Sequence, residues 1–293
     1  MSEELTIAGV RVTNPEKVLY PEQGLTKRGL AEYYDAVAGW ILPHVRNRPI
    51  SLVRCPMGRA KKCFFQRHAG SGVPPQIREV KIPGFEESGA YLYISGKSGL
   101  IALVQMGVLE MHPWGSRTDR PERPDRLIFD LDPGEGSSFR DIAAAAIETR
   151  KFLEALSLTS FVKTTGGKGL HLVVPIARRY SWSQAKAFAK AAAERMAARE
   201  PQRYLTRISK AERRGRIFID YLRNDPTSTA VAPYSTRARE GAPVATPLFW
   251  REVTAKLDPS SFDTVSVPIR LARLKEDPWA EISSMAQQLP SLA

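Results

Sequence analysis

Seven residues, Arg126-Leu127-Ile128-Phe129-Asp130-Leu131-Asp132, constrain this chain more than any other stretch, and Pro133-Gly134-Glu135-Gly136 follows them at once. Apolar and polar side chains alternate up to a turn, which marks a strand. Leu127, Phe129 and Leu131 face a core. Ile128, Asp130 and Asp132 face the other way, because strand side chains repeat every two residues. Two carboxylates about 7 Å apart on one sheet face repel each other unless something positive sits between them. A hard divalent cation meets that need, since it prefers oxygen ligands and often bridges carboxylates to phosphates. A bare D-x-D is equally a strand end with two solvated acids, so the rest of the chain must decide.

The element order after Arg126 decides much of it. A helix is predicted from a Ser137 or Ser138 cap to Leu156, then strands over 160–163 and 169–174 around Thr164-Thr165-Gly166-Gly167-Lys168. An Ala-rich helix runs from after Ser183 to about Arg199, and a last strand covers 216–221. This β-α-β-β-α-β order is the split βαβ arrangement, an α+β fold with helices on one face of an antiparallel sheet. Alternation places Gly169, His171 and Val173 on the open face, with Phe218 and Asp220 on the open face of the last strand. In the usual strand order the first and last strands are neighbours, so Asp220 joins Asp130 and Asp132 in a three-carboxylate metal site.

The Gly-rich tip carries less weight. Gly166-Gly167-Lys168-Gly169 lacks the spacing of a Walker loop, and a glycine hairpin turn explains it as well as a triphosphate cradle does. Strict split-βαβ order is expected to put the start of the third strand at the end opposite Asp132. That favours Asp220 and His171 over Lys168.

Earlier in the chain, Asn14-Pro15-Glu16-Lys17 reads as a loop, and a helix starts near Thr26 with Leu30, Tyr33, Tyr34, Val37 and Ile41 on one face. Arg59, Lys61, Lys62 and Arg67 surround Cys63-Phe64-Phe65. That pattern suits phosphate contact with base stacking, or a core Phe pair in a basic loop. A strand over 92–94 and a helix over 100–108 follow. Arg237 and Arg239 form either a phosphate clamp or a solvated loop. From Pro268 onward, one or two amphipathic helices carry Ile269, Leu271, Leu274 and Trp279.

Charge narrows the partners. Of 293 residues, 43 are Lys or Arg and 31 are Asp or Glu, a formal net charge of +12. Such a balance favours polyanions over acidic proteins or neutral metabolites. No apolar run reaches membrane-spanning length and Met1-Ser2-Glu3-Glu4 shows no signal pattern, so the expectation is no membrane partner and a cytosolic protein. Cys55 and Cys63 have no zinc-type spacing and are expected as reduced thiols.

Six segments together resemble the polymerase domain of bacterial ATP-dependent DNA ligase D, a branch of the archaeo-eukaryotic primase superfamily. They are Asn14-Pro15-Glu16-Lys17, Phe64-Phe65-Gln66-Arg67-His68, Met111-His112-Pro113-Trp114-Gly115, Asp130-Leu131-Asp132-Pro133, Gly166-Gly167-Lys168-Gly169-Leu170-His171 and Ile219-Asp220-Tyr221, in the family's order. The resemblance implies one polymerase domain over 1–293. Residues 1–120 would form an N-terminal α/β lobe, 121–260 an RRM-like split βαβ palm and 261–293 a helical tail. It implies a template-directed nucleotidyltransferase that fills gaps and extends broken ends in non-homologous end joining. By match, Asp130, Asp132 and Asp220 hold two Mn²⁺ or Mg²⁺ ions, and Phe64 and Phe65 stack on bases. His112, Thr165, Lys168, His171, Arg213, Arg237 and Arg239 fall where the family handles sugar and triphosphate. Asn14, Lys17 and Lys27 match a pocket for a downstream 5′-phosphate. Implied partners are gapped, nicked or broken DNA, nucleoside triphosphates with ribonucleotides preferred, and Ku with the other ligase D modules; the implied location is the bacterial nucleoid. Thr165 departs from the serine of many relatives, and no K-x-D-G ligase motif or phosphoesterase module appears. Two other classes compete: a non-catalytic RRM-like binding module and a D-x-D metal-dependent glycosyltransferase. The basic charge argues against the second.

Overall fold

The computed structural model describes residues 5–292 apart from Glu86, Ser88 and Ile208. The stretch from Met1 to Glu4, read above for a signal pattern, lies outside the described residues. The chain divides into two compact units, each built from separated stretches: Met1–Trp114 with Val231–Ala245 and Ser260–Lys275, and Gly115–Ala230 with Thr246–Pro259 and Glu276–Ala293.

The first unit opens with two short hairpins, β1 (Leu5–Ile7) with β2 (Val10–Val12) and β3 (Val18–Tyr20) with β4 (Leu25–Thr26). Thr26 then caps α1 (Lys27–Ala36), its hydroxyl accepting the Gly29 N–H at 3.2 Å. The predicted stripe is real. Leu30, Tyr33, Tyr34, Val37 and Ile41 are all buried, the last on α2 (Ala38–Val45). A five-stranded sheet follows from β5 (Ile50–Arg54), β6 (Phe64–Gln66), β7 (Arg78–Val80), β8 (Tyr91–Tyr93) and β9 (Val108–Pro113), with α3 (Lys97–Gln105) before β9. The helix predicted over 100–108 thus begins three residues earlier and gives way to β9. Strand β5 pairs with both β6 and β9. A helix at Ser266–Arg273 completes this unit with Leu271 buried, whereas Ile269 is 48 % exposed and does not join a core as expected.

One expectation is overturned here. Cys55 and Cys63 are not thiols but a disulfide. Antiparallel pairing of β5 with β6 sets Arg54 opposite Phe64, which brings the flanking cysteines together. Zinc-type spacing rules do not detect a contact made by strand pairing.

The second unit is a six-stranded sheet with two helices. Its elements are β10 (Arg126–Pro133), α4 (Phe139–Ala155), β11 (Phe161–Thr164), β12 (Leu170–Pro175), α5 (Trp182–Arg199), β13 (Tyr204–Leu205), β14 (Ile217–Asp220) and β15 (Pro247–Leu248), in spatial order β13-β14-β10-β12-β11-β15. Capping boxes start both helices, Ser138 with Asp141 and Ser181 with Gln184. Both helices pack on β10, where Leu127, Phe129 and Leu131 are buried. On the opposite face Ile128, Phe161 and Val173 meet Trp279 and Ile282 from the tail. The indole Nε1 of Trp279 donates to Val162 O at 3.0 Å.

A second expectation is corrected by the register. Strand β12 runs antiparallel to β10, with Asp130 opposite His171 and Leu131 opposite Leu170. An antiparallel neighbour begins where its partner ends. The Gly-rich tip therefore lies at the Asp132 end of β10, not the opposite end.

Candidate active site

Four polar side chains stand level across four neighbouring strands. Register pairs Lys163 with His171, His171 with Asp130, and Asp130 with Asp220. All four are buried. Asp132 points to the same face two residues along and pairs in register with Phe218. The structure thus brings Asp130, Asp132, Asp220 and His171 together on one face, as their alternation predicts. Gly134 and Gly169 make the crowding possible. A Cβ at Gly134 would collide with Arg213 O, and one at Gly169 with Leu131 O.

Sequence reasoning missed two cations at this centre. Arg223 Nε lies 3.2 Å from Oδ2 of both Asp130 and Asp220. Lys163 is 2 % exposed, and its Nζ donates to Thr164 O at 3.3 Å. The electrostatics follow. Burial alone would raise the Asp130 pKa, but His171, Arg223 and Lys163 outweigh it and hold the carboxyl below its usual range. Burial and the Asp130 charge push Asp132 up, and burial likewise raises Asp220. His171 is pushed down to about 4 by burial and by Lys163, so its ring is neutral near pH 7. Its Nε2 approaches Asp130 Oδ1 to 3.2 Å without making a hydrogen bond.

Among the described residues, no three His, Cys, Asp or Glu side chains are gathered closely enough to hold a metal ion outright. The donor set nevertheless fits a hard divalent cation. It consists of carboxylate oxygens on one face, and Asp130 Oδ1 is buried without a hydrogen-bond partner. Arg223 is the positive group that meets those oxygens here.

The tip residues flank this centre. Thr165 is buried, and its N–H and hydroxyl both donate to Gly169 O, at 3.3 and 3.2 Å. Gly166 takes a left-handed φ of +63°, so the tip is a tight turn as its glycines suggest. Lys168 is exposed. The guanidinium of Arg213 stacks 3.8 Å over the ring of Phe218, the residue paired in register with Asp132.

The first unit holds a second polar cluster. Glu110 is buried; its Oε2 lies 2.8 Å from His112 Nε2 and accepts from Arg237 Nε at 2.9 Å, while its Oε1 accepts the Ala238 N–H. Burial alone would raise this carboxyl, but His112 and Arg237 outweigh it and bring the pKa down to about 2. Sequence reasoning named His112 and Arg237 but not Glu110, which joins them. Phe65 stands edge-on to His112 with ring centroids 5.8 Å apart. Phe64 and Phe65 are 42 % and 46 % exposed, so the alternative of a core Phe pair fails. Arg54 and Arg67 lie over their rings. Arg239 is exposed and its backbone O accepts the Ala242 N–H.

Asn14, Lys17 and Lys27 also meet within this unit. Asn14 takes a left-handed φ of +50° and its O accepts the Lys17 N–H, while Lys17 O accepts the Lys27 N–H. Lys27 is the first residue of α1, and its Nζ donates to Thr13 O at 2.9 Å. Burial, then the nearby Lys17 charge, lowers the Lys27 pKa. Two ammonium groups crowded at a helix N-terminus favour an anion.

Among the described residues no helix is long and apolar enough to cross a membrane. Comparison with known proteins agrees with the geometry of both units. The family model described as the LigD primase-polymerase domain matches residues 26–279. The multifunctional non-homologous end joining protein LigD of Pseudomonas aeruginosa is 37 % identical over 291 residues, covering 96 % of this chain and 34 % of that protein. The bifunctional LigD of Bacillus subtilis is 28 % identical over 260 residues, covering 87 % of this chain and 42 % of its own length. The chain thus spans about a third of the Pseudomonas relative. Among solved structures, the polymerase domain of Mycobacterium tuberculosis ligase D in complex with DNA superposes with a TM-score of 0.87 at 32 % identity, covering 95 % of this chain and 99 % of that one. A palm with this strand order, a carboxylate face and a matched family model over most of its length mean that the chain belongs to the LigD primase-polymerase domain family.

Proposed function

We propose that the chain is a template-directed nucleotidyltransferase that fills gaps and extends broken DNA ends in bacterial non-homologous end joining, at the nucleoid, with Ku and the other ligase D modules as partners. The observation that carries this reading is the register row of Asp220, Asp130 and His171, with Asp132 on the same face. Asp130, Asp132 and Asp220 would hold two divalent cations, Mn²⁺ or Mg²⁺. The chemistry such ions supply is activation of a primer 3′-hydroxyl and stabilisation of charge on the entering and leaving oxygens.

The chain's own residues set the stage for that chemistry. Lys163 and Arg223 keep Asp130 anionic inside the fold. His171 is neutral, so it can hydrogen-bond without adding charge. Phe64 and Phe65 are exposed rings suited to base stacking, worth about 1–3 kcal/mol per base. Asn14, Lys17 and Lys27 would take the 5′-phosphate of a downstream strand. The competing RRM-like reading needs aromatic rings open to bases on the sheet face. Here Phe161 on that face is covered by Trp279, and the polar row of Lys163, His171, Asp130 and Asp220 crosses the sheet beside it.

The family resemblance further supports a preference for ribonucleotides. A polar group left without its 2′-hydroxyl partner costs roughly 1–3 kcal/mol, or about 5- to 150-fold in kcat/KM. Side-by-side kinetics of paired ribo- and deoxyribonucleoside triphosphates on one gapped duplex should show the ribonucleotide used at least as well. A clear deoxyribonucleotide preference contradicts this part of the proposal.

A further inference from the structure

The second unit contains a cavity of about 180 Å³ that no part of the nucleotidyl-transfer reading uses. Arg117, Arg126, Arg178, Asp125 and Ser283 are among its lining residues. It sits where β10 begins and β12 ends, since Arg126 pairs in register with Pro175. Asp130 lies four residues further along β10. Between them, on the same face, Ile128, Val173, Phe161, Trp279 and Ile282 form an apolar plug. The cavity is therefore separate from the carboxylate centre.

Its arginines are only partly engaged. Arg117 and Arg126 both pair with Asp125 through Nε, at 3.3 and 3.1 Å, and among the described residues their terminal nitrogens have no protein partner. Arg178 gives both terminal nitrogens to Asp119, at 2.9 and 2.7 Å, while its buried Nε has no partner. One carboxylate is thus shared by two guanidinium groups. The segments 117–126 and 178–179 hold six arginines against three carboxylates, so the surroundings stay positive. Unengaged guanidinium forks match a tetrahedral oxyanion. The volume lies below the ~300 Å³ at which pockets for drug-sized molecules begin, which suits a phosphate group rather than a whole nucleotide.

We propose that this cavity is a phosphate-binding site, with Arg117 and Arg126 supplying paired N–H donors and Arg178 closing one wall. The phosphate can be free, as inorganic phosphate or pyrophosphate, or a diester of a nucleic-acid backbone. The site does not depend on the carboxylates or on metal.

Calorimetric titration of the full chain in EDTA tests it, using inorganic phosphate, pyrophosphate and a short duplex without terminal phosphates. In the free-anion case, phosphate or pyrophosphate binds saturably. Arg126→Gln and Arg117→Gln then each weaken binding roughly tenfold, about 1.4 kcal/mol, while Asp132→Asn leaves it intact. In the backbone case neither free anion binds, but both arginine variants bind duplex more weakly with a salt slope shallower by about one phosphate. Arg117 is 31 % exposed, so its variant keeps the test valid should Arg126→Gln fail to fold. The proposal is overturned if free anions do not bind and duplex affinity is unchanged in both variants, or if anions bind equally to wild type and variants.

Discussion

Asp130 on β10 and Asp220 on β14 stand directly opposite each other, and Arg223 Nε sits 3.2 Å from an oxygen of each. Register partners in an antiparallel pair are about 5 Å apart. Two like charges at that distance repel by about 3 kcal/mol at an effective dielectric of 20. The fold tolerates the pair because a cation lies between them.

Removing that cation should cost stability only while no metal replaces it. Arg223→Gln should lower the metal-free unfolding free energy by about 1 kcal/mol, a figure kept small because the side chain is 37 % exposed. Thermal unfolding in EDTA and across a Mn²⁺ titration measures this. The variant should gain more from Mn²⁺ than the wild type does, since metal no longer displaces a guanidinium. An equal gain in both proteins contradicts the idea that arginine and metal share those oxygens.

The buried Glu110 gives a pH dependence of known sign. Its carboxyl is brought from 4.5 down to about 2. A depressed carboxyl contributes stability above its unfolded pKa and loses it as pH falls through the folded value. The contribution is roughly 3 kcal/mol at most, by 1.36 kcal/mol per unit. Chemical unfolding at pH 7 and near pH 2 should show Glu110→Gln destabilised relative to wild type at the higher pH, with the difference shrinking at the lower. A difference independent of pH would remove Glu110 as the anchor of His112 and Arg237.

Lys17 and Lys27 should decide what kind of DNA end is preferred. A terminal phosphate carries more charge than an internal diester, and burial, then the nearby Lys17 charge, lowers the pKa of Lys27, so an anion there is favoured. Gaps with a downstream 5′-phosphate should bind and fill better than gaps ending in 5′-hydroxyl. The Lys17→Ala, Lys27→Ala double variant should erase that difference and make the salt slope of binding shallower. Equal wild-type activity on both gaps refutes the pocket.

Much of this centre was readable from local patterns. Two-residue alternation placed Asp130, Asp132, Asp220 and His171 on one face because a strand permits only two directions. A serine cap, expected at Ser137 or Ser138 and found at Ser138, announced α4 because helix N-termini need a side-chain acceptor. What escaped depended on pairing between distant segments. Lys163 reads as the last residue of an ordinary strand, yet the hairpin register sets it beside His171. Applying alternation to both arms of that hairpin would have found it. Glu110 and Arg223 gain their roles from partners far away in sequence, Arg237 and Asp130. The Cys55–Cys63 bond likewise needed the β5–β6 pairing. The sense of β12 was misjudged although antiparallel neighbours always meet end to start.

The most direct test is primer extension on a gapped, 5′-phosphorylated duplex with Mn²⁺ and ribonucleoside triphosphates, comparing wild type with Asp130→Ala and Asp132→Ala. Wild type should extend the primer. Both variants should lose extension while their DNA affinity stays nearly unchanged, because the carboxylates would act in the transition state rather than in holding the duplex. Extension surviving at more than a few per cent of wild type in either variant contradicts the assignment of these carboxylates to nucleotidyl transfer.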